Sequence, residues 1–256
     1  MNGGMFNLAC LVRAARNRLS AGTFDYKFYP HIDTLTFEFT ERLGLFRMKK
    51  PVVITADDWF RKMIDFGLED IHLLINTDDN NRHMQGYVNT KPIMALTVYN
   101  DKTLNYWQPK WEYSQESGKW NVKYTEYPST TAPVDMSFYG DTTDDLFAVL
   151  ARIANLADRI GAQGFKEIFV DAIKRLQGED ISGSDDEMLS YLPAMSERGR
   201  RLFAAASKAD VFGGMGSWND SPPYLAQEKG LKKEYDELSE QLWYEIKVAV
   251  MSAVNE

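Results

Sequence analysis

The hydrophobic period of this 256-residue chain changes once along its length, and that change constrains the fold more than any single motif does. In the first half, apolar residues alternate with polar ones. The segment Thr34-Leu35-Thr36-Phe37-Glu38-Phe39 places every second side chain on one face, as a half-buried strand requires. From residue 142 onward the apolar residues recur every three or four positions, so that Leu146, Leu150, Ile153, Ala157 and Ile160 line one side of a helix. Pro128, Pro133 and Gly140 punctuate the stretch between the two regimes. The pattern predicts an α+β protein. Residues 1–133 form a mostly antiparallel sheet with short helices and residues 134–256 a helical bundle, either as two domains or as one continuous domain.

Individual elements follow from punctuation. Val52-Val53-Ile54 reads as a short strand, and Thr55 or Asp57 then caps a helix through Trp59, Phe60, Met63 and Ile64 that closes at Gly67. Ile71 to Ile75 and Ile93 to Tyr99 are strands, separated by an Asx-rich loop over residues 76–86. Trp111–Tyr113 and Lys119–Tyr127 make a hairpin in which Pro109 requires an edge or bulge position. Thr142-Thr143-Asp144-Asp145 and Ser184-Asp185-Asp186-Glu187 both resemble capping boxes, and Pro193 divides the second helix that follows. The last stripe uses Leu231, Tyr235, Leu238, Leu242, Ile246 and Ala249.

Composition excludes several classes. With 44% hydrophobic and 26% charged residues the chain is an ordinary globular sequence. Its one cysteine, Cys10, rules out an internal disulfide and a multi-cysteine zinc site, so a cytoplasmic setting is expected. No apolar run reaches the roughly 20 residues needed to span a bilayer, and no membrane partner is expected. Residues 1–24 carry Arg13, Arg16 and Arg18 without an acid, which fits an amphipathic helix better than a targeting presequence. Residues 1–50 hold eight basic and four acidic side chains, leaving 21 and 33 for the remainder of a chain whose net charge is −8. Phosphate-backbone binding depends on Lys and Arg, so nucleic acid is not an expected partner, whereas a basic protein is.

Catalytic chemistries each lack a required piece. The three histidines show no HExxH or i,i+4 spacing, and the glycines of Gly213-Gly214-Met215-Gly216-Ser217 lack the Lys-Ser/Thr ending of a phosphate loop. Neither a nucleophile elbow nor a Cys-His pair is present, so no catalytic residue and no cofactor is expected. Asp78, Asp79 and His83 form the most metal-like group, although an Asx-rich turn explains them more simply. The acids of Asp141/Asp144/Asp145 and Asp185/Asp186/Glu187 read as helix N-terminal charge. The candidate binding face is aromatic: Tyr106, Trp107, Trp111, Tyr113, Trp120 and Tyr124, near Tyr99 and Tyr127 in the central sheet. Such rings serve as contact area for a protein, as stacking platforms for a base or sugar, or as core. Period two divides them, with half in the core and the rest in a partly exposed patch.

The segment Val211-Phe212-Gly213-Gly214-Met215-Gly216-Ser217-Trp218-Asn219-Asp220, followed by an amphipathic helix, resembles the C-terminal tail of a group of uncharacterised bacterial proteins, some of which look like toxin-immunity proteins. The resemblance covers residues 195–254, with Arg198 to Lys208 and Leu231 to Ala253 as its two helices, and departs from the pattern at Ser221-Pro222-Pro223. The glycine turn reads first as a structural corner. The expectation is therefore a non-catalytic protein-binding molecule, immunity or inhibitor-like, with an acidic surface. Two alternatives stand beside it: a nucleotide- or glycan-binding module on the aromatic sheet, and a metal-dependent hydrolase using Asp78, Asp79 and His83.

Overall fold

The alternating segments assemble into one six-stranded sheet of order β2-β1-β6-β5-β4-β3. Its strands are β1 Ile32–Glu38, β2 Val52–Val53, β3 Leu68–Ile75, β4 Ile93–Tyr99, β5 Leu104–Ser114 and β6 Lys119–Pro128. This is a computed structural model, describing residues 1–40, 52–77, 82, 89, 93–129, 140–179, 185–213 and 215–256. Every strand pairing is antiparallel except β1 with β6, which run parallel with Phe37 opposite Tyr124. Eight helices complete an α+β fold among the described residues: α1 Gly3–Ala21, α2 Ala56–Asp65, α3 Thr143–Arg159, α4 Gln163–Leu176, α5 Asp185–Leu189, α6 Glu197–Ala209, α7 Pro222–Glu228 and α8 Lys232–Asn255. None of them is long and apolar enough to cross a membrane.

Period two gives the sheet one apolar face. Leu35, Phe37, Val122, Tyr124, Trp107, Ala95, Leu73 and Ile71 all point into it and are buried. Trp59 of α2 closes the face, stacked on Phe37 at 4.9 Å and edge-on to Trp107 at 5.6 Å. Helix α1 departs from the one-sided stripe expected of it. Met5 through Val12 are buried without a gap, because α1 packs against β3 and β4 on one side and α8 on another. Its buried Asn7 is satisfied, donating to the Tyr124 hydroxyl at 2.9 Å and accepting from Tyr26 at 2.8 Å. Burial also pushes the Cys10 thiol up, away from its reactive form.

Helices α3, α4, α6 and α8 pack around a second part of the same buried cluster. Their ends follow local chemistry. Thr55 caps α2 by accepting from the Asp58 amide at 3.0 Å, and Ser196 caps α6 through the Gly199 amide at 2.9 Å. The capping box expected at α3 is replaced: Thr142 makes no cap bond, and Asp141 instead accepts from the Thr143 amide at 3.0 Å. Of the second box, Ser184 lies outside the described residues. Pro193 does fall in a break, between α5 and α6. Pro222 and Pro223 occupy the first turn of α7, where a missing N–H costs nothing.

Among the described residues, the outer edge of β3 is closed by side chains rather than by another strand. Asn255 of α8 accepts from the Leu73 amide at 2.8 Å and donates to the Leu73 carbonyl at 2.9 Å, reproducing the two bonds of a neighbouring peptide. Arg16 donates to the Ile71 carbonyl at 2.9 Å, Met251 sulfur accepts from the Ile75 amide at 3.2 Å, and Lys247 donates to the carbonyls of Asn76 and Thr77. Asn89 makes the same pair of bonds to Trp111, 2.8 Å each, beyond the point where the β4 pairing stops at Trp107. Pro109 lies in this same overhang of β5, where its missing donor is tolerated.

Candidate functional site

The six aromatic residues singled out from the sequence do not form one patch. Trp107 and Tyr124 are fully buried and Trp111 is 8% exposed, so these three belong to the core rather than to a stacking surface. The cause is the pleat: 107, 111 and 124 share the inward face, where Phe37 stacks on Tyr124 at 5.3 Å. Tyr106 points to the opposite face and stacks on Tyr127 at 5.5 Å. Tyr113 and Trp120 meet edge-on at 5.2 Å near the hairpin end, with Tyr113 49% exposed.

Some buried polar groups near the sheet are satisfied by neighbours, whereas the indole N–H groups of Trp59, Trp107 and Trp111 find no partner among the described residues. Glu126 accepts from the Tyr99 hydroxyl at 2.9 Å, Asn105 at 2.7 Å and the Thr40 amide at 3.0 Å. His72 lies 3.1 Å from Asp70, which also receives a 2.8 Å bond from Arg16. Burial alone would push the Asp70 carboxyl up, but the His72 hydrogen bond and the Arg16 guanidinium outweigh it and hold the carboxyl below its ordinary value. Asp78, Asp79 and His83 lie outside the described residues. Among the described residues no group of three His, Cys, Asp or Glu side chains is placed to hold a metal.

The corner at 213–220 is an anchor. Trp218 is fully buried against Phe165, Phe169 and Tyr235, all within 5.3 Å, and its indole N–H donates to Ser239 at 2.8 Å. Arg82, 5% exposed, reaches Asn219 and Asp236 and lies over the Tyr235 ring. That arrangement ties the glycine turn and α8 together, and the exposed Met215 beside it touches none of these groups.

A different surface combines exposed rings with acidic side chains. Helices α3 and α8 run antiparallel, in a register set by Arg152 donating to Gln241 at 2.9 Å and Arg159 donating to Glu234 at 2.7 Å. On the outside of these two helices Phe147 and Tyr244 are 40% and 41% exposed, and Ala148 and Ala151 are exposed too. Asp144 and Asp145 stand in the first turn of α3, where the helix dipole favours them, and Glu237 and Glu240 are exposed along α8. Glu245 faces Asp145 across the pair. Partial burial first, and the Asp145 charge second, push its carboxyl above the ordinary value. The sequence did carry a signal for this face: Phe147 and Tyr244 fall outside the apolar stripes of their helices.

Taken together, the architecture defines an α+β protein with one largely antiparallel sheet and a helical layer. No family model, no curated protein and no solved structure matches the chain.

Proposed function

We propose that this protein binds another protein without catalysis, in the manner of an inhibitor or immunity protein, and that the exposed α3–α8 face makes the contact with a basic partner. One observation carries the reading: Phe147 of α3 and Tyr244 of α8, two large rings left 40% and 41% exposed, lie on adjoining helices that also carry exposed acids. Aromatic anchors inside a charged rim are the usual composition of a binding hot spot, and the acids favour a cationic partner and speed its approach. Photo-crosslinking tests it directly. A photoreactive residue at position 147 or 244, in extract of the source organism, is expected to trap one basic protein in stoichiometric amount. A control at Lys110, on the outer sheet face, traps none. Equal capture at all three positions, or none at 147 and 244, would overturn the assignment.

A second reading has its own observation. Tyr113 is 49% exposed beside the partly buried Trp120, which supports stacking of a nucleobase or sugar at the hairpin end. A nucleotide and glycan panel that leaves tryptophan fluorescence unchanged removes it.

A further inference from the structure

We propose that the outward face of strands β1, β6 and β5 is a binding site for an extended, uncharged oligosaccharide. The α3–α8 face and the Tyr113–Trp120 pair take no part in it, so it stands independently of both readings above. Along these strands, the side chains that alternate with the buried Phe37, Tyr124 and Trp107 point away from the core. The pairing registers align them in rows across the three strands, Thr36 with Lys123 and Lys110, then Glu38 with Thr125 and Gln108. Tyr127 opposite Tyr106 makes the next row. Between Asn121 at one end and Tyr127 at the other, these side chains line a groove of about 680 Å³, within the size range of small-ligand sites.

Charge narrows the ligand. The two ammonium groups of the groove close on its two carboxylates: Lys110 bonds Glu112 at 2.6 Å, and Lys123 bonds Glu38 across the β1–β6 pairing. Lys110 and Glu112 keep each other ionised, because the hydrogen bond they share, and then their opposite charges, raise the ammonium and lower the carboxyl. The lining is therefore neutral as a whole, and an uncharged ligand is the one that leaves both ion pairs intact.

The remaining groups both donate and accept. Thr34 donates to Asn121 across the pairing, whereas the side chains of Thr36, Gln108 and Thr125 are half-buried and bond to no other described group. A sugar hydroxyl is donor and acceptor at once, so it matches a set of hydroxyls and amides whose capacity is unfilled. Tyr127, 41% exposed and backed by Tyr106 at 5.5 Å, adds a flat apolar ledge on which the C–H face of a pyranose ring can rest. At roughly 3.3 Å per residue, the distance from Asn121 to Tyr127 along β6 is about 20 Å, which suits a chain of several sugar units.

The test titrates the full chain with short glycans and follows its backbone amides by NMR. Cellotetraose and tetra-N-acetylchitotetraose are the uncharged probes, and tetragalacturonate is the anionic one. At least one uncharged probe is expected to shift amides of β1, β5 and β6 while tetragalacturonate does not, and added salt should leave the affinity unchanged. Tyr127→Ala should weaken that binding about tenfold or more, the loss expected of one stacking face, whereas Tyr127→Phe retains it. Gln108→Ala should weaken it severalfold, with the thermal unfolding midpoint of every variant at the wild-type value. No response to either uncharged probe at millimolar concentration, a preference for tetragalacturonate, or binding undiminished in Tyr127→Ala overturns the proposal. Binding lost in Tyr113→Ala but kept in Tyr127→Ala overturns it too, by moving the site to the hairpin end. None of these results bears on crosslinking from positions 147 and 244, which tests the protein-binding reading alone.

Discussion

The central sheet and the α3–α8 helix pair both carry conspicuous aromatic residues, and they use them in opposite ways. In β5 and β6 the rings are dense because the inward face is a packed core, with Trp107 and Tyr124 fully buried. On the helix pair only two rings stand out, and both remain 40% exposed or more. Density along the chain therefore points to packing, whereas a ring that violates its helix's own stripe points to an interaction. Function is better sought where the local pattern is broken than where one residue type is abundant.

That contrast breaks most readily at Trp107. Replacing it with Ala should cost about 3–5 kcal/mol by denaturant titration, because the large cavity left among Phe37, Phe39 and Trp59 cannot close. A loss below about 1 kcal/mol would mean that the sheet aromatics are not the core they are taken for. Next in size is Asn255→Ala, which strips both partners from the Leu73 peptide. It should cost about 1–3 kcal/mol and speed hydrogen exchange at the Leu73 amide.

The helix pair responds differently. Glu245→Gln should stabilise the protein at neutral pH, by less than about 1 kcal/mol given its exposure to solvent. The sign follows from its raised folded-state value: Glu245's contribution is present at low pH, below its unfolded value, and is lost as the pH rises through the folded one. Wild type and variant should therefore differ more at pH 7 than at pH 4 in thermal unfolding. Phe147→Ser has the smallest effect on stability, within about 0.5 kcal/mol, yet it should abolish the trapped partner if the crosslinker is moved to position 244.

Much of the fold was legible because it is local. Thr55 as a cap, the break at Pro193, the β5–β6 hairpin and the long last helix each depend on a few adjacent residues, and each is found. What could not be read depends on distant contacts. The parallel pairing of β1 with β6 joins Phe37 to Tyr124, and no turn chemistry announces it. Helix α1 carries a stripe that looks one-sided, yet its neighbours on the other sides come from β3, β4 and α8. The candidate site was legible only in part. Period two predicts that some of the six aromatics face inward, but which three is decided by register, and that α3 and α8, the helices of Phe147 and Tyr244, lie side by side rests on contacts between residues far apart in sequence. Asp141 took the capping role from Thr142 because its carboxylate reaches both the amide and the hydroxyl of Thr143.

The side chains that close β3 also set an order of events during synthesis. Leu73 and Asn255 are 182 positions apart, so a growing chain completes the strand long before it makes the amide that covers it. At a translation rate on the order of 5–20 residues per second, the Leu73 amide and carbonyl wait roughly ten to forty seconds for Asn255. Throughout that interval a nascent chain presents an incompletely covered strand edge to its neighbours on the same message. Holdase chaperones should matter most to this protein in the time between the emergence of β3 and that of α8.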